Sequence, residues 1–195
     1  MSKFRESKLA HKYCKGIGIE IGGASHNPFN LEKCINISPS GRENFWRQSQ
    51  INMGEEPLHI DYYGTAEELP VESDTYNYII SSHVIEHVPN PIKAFLEWNR
   101  VLKSNGIIFT VFPKRDANEI DKKRPISKVE ELDSQYNFPQ PLSDEHQHIW
   151  IWNLQAMLDL IEFCNKTYDL GWSVIDTLET DDKVGNGHTV VCKKI

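Results

Sequence analysis

From Tyr76 the chain reads YNYIISSHVIEHVPNPIKAFLEWNRVLKSNGIIFTVFP, ending at Pro113, and no other stretch restricts the possible folds as strongly. Tyr76–Ser82, with Ile79 and Ile80 at its centre, reads as a strand. Pro91 opens a helix in its first turn, where a missing N–H leaves nothing unsatisfied. Ile92, Phe95, Trp98 and Leu102 then recur three or four residues apart and make one apolar stripe. Gly106 ends that segment, and Gly106–Phe112, rich in β-branched and aromatic residues, reads as a second strand stopped by Pro113. A strand, a helical crossover and a second strand form the repeating unit of a parallel sheet.

The remaining punctuation extends that sheet. Ile17–Ile21 is a short apolar run broken by Gly22 and Gly23, Lys33–Ile37 is a further candidate strand, and Leu58–Ile60 a short third. Ile151, Leu154, Leu158 and Ile161 predict another helix, and Trp172–Leu178 with His188–Cys192 predicts a closing hairpin across a polar turn. The expectation is an α/β fold with a mostly parallel seven-stranded sheet and a C-terminal antiparallel hairpin strand. At 195 residues and 39% hydrophobic, the chain fits a single domain spanning 1–195. Residues 114–148 stand apart as a polar insert with Pro125, Pro139 and Pro141. Following the fifth strand, the insert falls on the carboxyl side of the sheet, where such folds bind ligands.

Charge and cysteines narrow the partners. A net charge of −7 provides no global field for phosphate backbones, so a nucleic-acid partner is not expected. Lys3, Arg5, Lys8, Lys12 and Lys15 read as the solvated face of an N-terminal helix. The basic start is not followed by an apolar run and no stretch suffices to cross a bilayer, so neither a signal peptide nor membrane insertion is expected. Cys14, Cys34, Cys164 and Cys192 form no CxxC pair and read as reduced thiols of a cytoplasmic protein. The oligomeric state is left open by the sequence.

The opening segment GIGIEIGGASHNPF, Gly16 to Phe29, holds the first chemical signal. A dinucleotide fingerprint would place its glycines after the strand, whereas Gly16 and Gly18 precede or lie within it, so a nicotinamide cofactor fits poorly. What remains is an acid, Glu20, near the end of the first strand, followed by a Gly-Gly loop. That suits a ligand with a positive pole approached closely by backbone, such as the ammonium and sulfonium of S-adenosylmethionine. Together with the HVIEHV turn, the Arg-Val-Leu-Lys helix end and the Gly-opened strand after it, this segment resembles the methyltransferase type 11 family, at least from Ile17 to Pro113.

The resemblance implies a Rossmann-like class I methyltransferase sandwich using S-adenosylmethionine. It implies Glu20, Gly22 and Gly23 at the methionine end, joined by Ala24 and Ser25. Asn36 takes the place of an acid that holds the ribose, Thr65 and Ala66 border the adenine, and Ser82 with His83 forms the floor. Ala24, Asn36 and Thr65 depart from the family pattern; Asn36 offers an amide oxygen where a carboxylate would contribute about 1 kcal/mol more. A non-catalytic cofactor-binding or scaffold protein on the same fold is the rival reading. The strings EIGGASHNPF, KKRPISKVEEL and DEHQHIWIW are similar to a bacterial subgroup that accompanies glycosyltransferases in cell-surface polysaccharide synthesis, which implies a small-molecule or saccharide acceptor.

Eight histidines are many for this length, and His83, His87, His146 and His148 fall in two clusters. Transfer to a hydroxyl needs a base near neutral pH, so these four are the catalytic candidates, with His146 or His148 as the base and His83 or His87 orienting the acceptor. Packing of His87 and helix capping by the Glu145–His148 run are the structural alternatives. Asp144, Glu145, His146 and His148 are metal-ligand types, but without an HExxH motif no metal is expected. Trp98, Trp150 and Trp152 read as core residues.

Overall fold

The computed structural model describes residues 5–23, 29–40, 48, 51, 52, 54, 59–141 and 148–195. Its centre is a seven-stranded sheet whose spatial order is β3-β2-β1-β4-β5-β7-β6. The strands are β1 (Gly18–Ile21), β2 (Cys34–Ser38), β3 (Tyr62–Tyr63), β4 (Tyr76–Ser82), β5 (Leu102–Pro113), β6 (Trp172–Leu178) and β7 (Gly187–Lys194). The pairs among β1–β5 are all parallel, whereas β7 runs antiparallel to both β5 and β6. This is the expected mostly parallel sheet with its closing antiparallel hairpin. Strand order reverses between β1 and β4, and the carboxyl edge at such a reversal is where open α/β sheets form a crevice.

Among the described residues, helices α1 (Lys8–Tyr13), α2 (Pro91–Val101), α3 (Val129–Asn137) and α4 (Leu154–Tyr168) flank the sheet. The α2 stripe packs Ile92, Phe95 and Trp98 with Met157, Leu160 and Ile161 of α4 against Ile79 and Ile108 of the sheet. Asn90 caps α2 by accepting from Lys93 N at 3.1 Å, just ahead of Pro91. The other face is covered more lightly, by Ala10 and Phe29 over Tyr78, Ile80, Phe109 and Val191. Gly18 is demanded there, because a Cβ at that position would lie 2.2 Å from the Tyr78 ring.

Four expectations shift; first, Leu102, expected on the α2 stripe, is instead the first residue of β5. The third strand forms at Tyr62–Tyr63, after the apolar Leu58–Ile60 run; both tyrosines are exposed, so no burial pattern marks this edge pair in sequence. The helix expected from Ile151 starts at Leu154, because Asn153 caps it by accepting from Ala156 N while Ile151 N is taken by Ser127 Oγ. Within the insert, residues 114–141 are folded: α3 buries Leu132 and Gln135, and single helical turns lie at Arg115–Ala117 and Asp121–Lys123. Residues 142–147, with His146 among them, lie outside the described residues.

Candidate functional site

Two groups of side chains assemble along the carboxyl edge. The first forms where β1 and β2 end. Parallel register sets Glu20 beside Asn36, and Gly22, at φ +73°, donates its N–H to Ile37 O at 2.8 Å. Gly23 then passes directly over both side chains. A Cβ added to Gly23 would stand 2.9 Å from the Glu20 carboxyl carbon and 3.1 Å from Asn36 Oδ1. Glycine is therefore required for close approach. Burial pushes the Glu20 carboxyl up to about 7, against the opposing influence of Lys183 and a hydrogen bond from the Phe29 backbone.

Asn36 is held by two hydrogen bonds yet retains a spare acceptor. Its backbone N donates to Asp61 Oδ2 at 2.7 Å and its Nδ2 to His59 O at 3.0 Å. Its Oδ1 is buried with no hydrogen-bond partner among the described residues. Asp61 was not singled out by sequence, since it falls between the expected strand and the Thr65 segment. Thr65 pairs with Glu68 through mutual backbone bonds, and the buried Ala66 accepts Trp98 Nε1 at 2.9 Å, which ties this turn to α2. Ala24 and Ser25 lie outside the described residues.

The second group surrounds Glu86. Beyond Ser82, His83 turns the chain at φ +53°, and a short helical turn over Ile85–His87 carries Glu86 inward until it is fully buried. Three imidazoles face its Oε1: His83 Nδ1 at 3.5 Å, His148 Nε2 at 3.9 Å and His87 Nε2 at 4.0 Å. The rings of His87 and His148 meet edge to face at 4.9 Å. Burial works against the Glu86 charge, but His83, followed by His87 and His148, outweighs it and holds the carboxyl below its usual range. Burial likewise opposes a charge on His83, and Glu86 with Asp181 reverses the balance and raises it.

His148 is fixed from its far side. Its Nδ1 meets Asp121 Oδ2 at 2.5 Å, Arg124 pairs with Asp121 at 3.7 Å, and Arg124 also donates to the His148 carbonyl. Backbone bonds from Ile149 and Trp150 to Glu86 O, at 2.8 and 3.2 Å, dock this segment against the β4 turn. Trp150 and Trp152 are core residues, with Trp150 Nε1 bonded to Val88 O. Sequence thus named His83, His87 and His148 and missed Glu86 and Asp121. Glu86 stood in the quoted HVIEHV string, whereas Asp121 sits in the polar insert with no local signal.

Beside this group a cavity of about 290 Å³ is lined by Arg115, Asp116, Lys122, Ile126, Asn153 and His188. Burial lowers His188, and a Cβ on neighbouring Gly187 would come within 3.4 Å of His83 Nε2. The insert therefore supplies most of one wall.

Residues 18–110 match the family model described as a methyltransferase domain. A curated ubiquinone biosynthesis O-methyltransferase from Parvibaculum lavamentivorans is 28% identical over 89 residues, which cover 45% of this chain. The match spans only 35% of that relative's length. Among solved structures, a SAM-dependent methyltransferase from Thermotoga maritima superposes with TM-score 0.55 at 19% identity, covering 92% of this chain and 82% of its own. One from Methanosarcina mazei gives TM-score 0.55 at 13% identity, with 96% and 97% covered. Their likeness shows the fold, the Rossmann-like α/β sandwich of those methyltransferases.

Proposed function

We propose that the chain is an S-adenosylmethionine-dependent methyltransferase acting on an oxygen or nitrogen of a small-molecule or saccharide acceptor. The observation that carries this reading is the Glu20–Gly23–Asn36 crevice at the strand-order reversal. There a buried, destabilised carboxylate and a spare amide oxygen face a position that only glycine can occupy. These acceptors fit the cofactor: the carboxylate suits an ammonium group, and Asn36 Oδ1 would accept from a ribose hydroxyl. When bound, S-adenosylmethionine supplies an electrophilic methyl group, so alignment of donor and acceptor is the main demand on the protein. Thr65 and Ala66 border the adenine, and Ser82 with His83 forms the floor.

The acceptor enters from the insert side, through the cavity lined by Arg115, Lys122 and His188. His83, steadied by Glu86 where β4 ends, takes the acceptor's proton; His87 and His148, on the same carboxylate, set its orientation. This shifts the base from His146 or His148 to His83, the imidazole that adjoins the floor itself. The curated relative named as an O-methyltransferase favours oxygen. The likeness to the bacterial subgroup favours a saccharide in cell-surface polysaccharide synthesis. The charge of −7 and the four free cysteines support a cytoplasmic enzyme without a nucleic-acid substrate. No helix among the described residues is long and apolar enough to cross a membrane.

Calorimetric titration with S-adenosylmethionine tests the reading. Binding in the micromolar range is expected, and Gly23→Val, whose side chain would fill the crevice, abolishes it. Absence of binding at millimolar cofactor overturns the proposal. With an acceptor in hand, His83→Gln lowers kcat by about 10²-fold or more while S-adenosylhomocysteine still binds.

A further inference from the structure

Glu86 presents an arrangement that steadying His83 does not by itself require. Its carboxylate is fully buried, and neither oxygen has a hydrogen-bond partner among the described residues. The nearest nitrogen, His83 Nδ1 at 3.5 Å, is too distant for a normal hydrogen bond. A buried charge of this kind ordinarily collects several short bonds. Here it is instead aimed at imidazole nitrogens. One carboxylate oxygen of Glu86, one nitrogen of His87 and one of His148 all lie within 4.8 Å of one another.

We propose that Glu86, His87 and His148 form a binding site for one divalent transition-metal ion, of the zinc or manganese type. Two imidazoles and a carboxylate are a donor set that these ions accept, with positions left over for water or an acceptor oxygen. Metal–ligand bonds near 2.0–2.2 Å place neighbouring donors of a tetrahedron about 3.4 Å apart. The observed separations of 3.9 and 4.0 Å from Oε1 to the two Nε2 atoms need an inward shift of only about half an ångström.

The surroundings complete the argument. Asp121, bonded to His148 Nδ1, leaves Nε2 as the nitrogen facing Glu86, the carboxylate–histidine–metal relation that orients ligands elsewhere. Arg124 fixes Asp121 and the His148 backbone together, so the His148 ring is held in place before any ion arrives. The chain has no HExxH motif; these ligands come instead from two distant segments, with Asp121 supporting one of them. The ion would stand beside His83, within reach of an acceptor bound at the carboxyl edge. The site depends on these side chains alone and stands whether or not the cofactor reading holds.

The full chain, stripped with chelator and without S-adenosylmethionine, is titrated calorimetrically with Zn²⁺ and separately with Mn²⁺. Saturable binding of one ion per chain, tighter than about 1 mM, is expected for at least one of them. His87→Ala and His148→Ala each weaken it by about tenfold or more, and Asp121→Asn by about 10–100-fold. Circular dichroism checks folding; should His148→Ala unfold, His87→Ala decides alone. Absence of such binding, or binding that the folded histidine variants leave unchanged, overturns the proposal. Neither result alters the cofactor titration, which is run in chelator.

Discussion

Glu20 and Glu86 are the same residue type, both buried near the carboxyl edge of one sheet, yet their environments drive them in opposite directions. Glu20 at the end of β1 is pushed up to about 7, because burial outweighs the influence of Lys183 and the Phe29 backbone. Glu86 beyond β4 is held low, because three imidazoles outweigh an equal loss of water. Burial sets the size of the penalty, and the neighbours decide whether the charge survives it. One carboxylate is thus prepared for a positive partner from outside, and the other is already enclosed by groups of its own chain.

The largest expected effect comes from removing each charge in turn. Glu86→Gln strips the counter-charge from its imidazoles and should lower stability by about 3–5 kcal/mol in denaturant titrations. Glu20→Gln should do the reverse at pH 8. Native Glu20 titrates near 7 against an ordinary 4.5, so between those values the folded chain holds the extra proton. Stability is therefore fully present below pH 4.5 and lost as pH rises to about 7, a loss on the order of 3 kcal/mol that glutamine removes. If both variants move stability in the same direction at pH 8, the contrast between the two sites fails.

A smaller effect separates composition from placement. Asn36 replaces the acid expected at the end of β2, and Asp61 bonds its backbone N from alongside. Restoring the acid with Asn36→Asp would set a carboxylate against His59 O and near Asp61. It should cost about 1–3 kcal/mol of stability, read from thermal or denaturant unfolding. Unchanged or higher stability would show that the side-chain amide and its bond to His59 O are not what this position needs.

The smallest effect concerns the cofactor. A cation placed beside Glu20 favours its charged form, so binding at pH 6 should release about one proton, and affinity should rise about tenfold between pH 6 and 8. Calorimetry in buffers of different ionisation enthalpy measures the release. Glu20→Gln should abolish both the proton release and the pH dependence.

How much of this was readable beforehand varies with the range of the contacts. Tyr76–Ser82 and Trp172–Leu178 appear as strands at the bounds their patterns predict, and α2 begins at the expected Pro91. The Glu20-Gly22-Gly23 loop was equally legible, because one strand end and its glycines are contiguous. The β3 pair, with two exposed tyrosines, displays no alternation and lies beyond the apolar run that predicts it. Of the histidine site, the clusters were visible as composition, but their common centre at Glu86 was not.

The sequence by itself determined the alternation of strands and helices and the glycine turn over an acid, since these follow from spacing within a few residues and from backbone sterics. Only the tertiary structure decided that Asp121 reaches His148, that Asp61 stands beside Asn36, and that three imidazoles converge on one carboxylate. The contacts of Asn36 with Asp61, of Asp121 with His148 and of Glu86 with His148 join residues 25, 27 and 62 positions apart. Local periodicity has no term for them, because they come into being when the sheet brings its loops to a common edge.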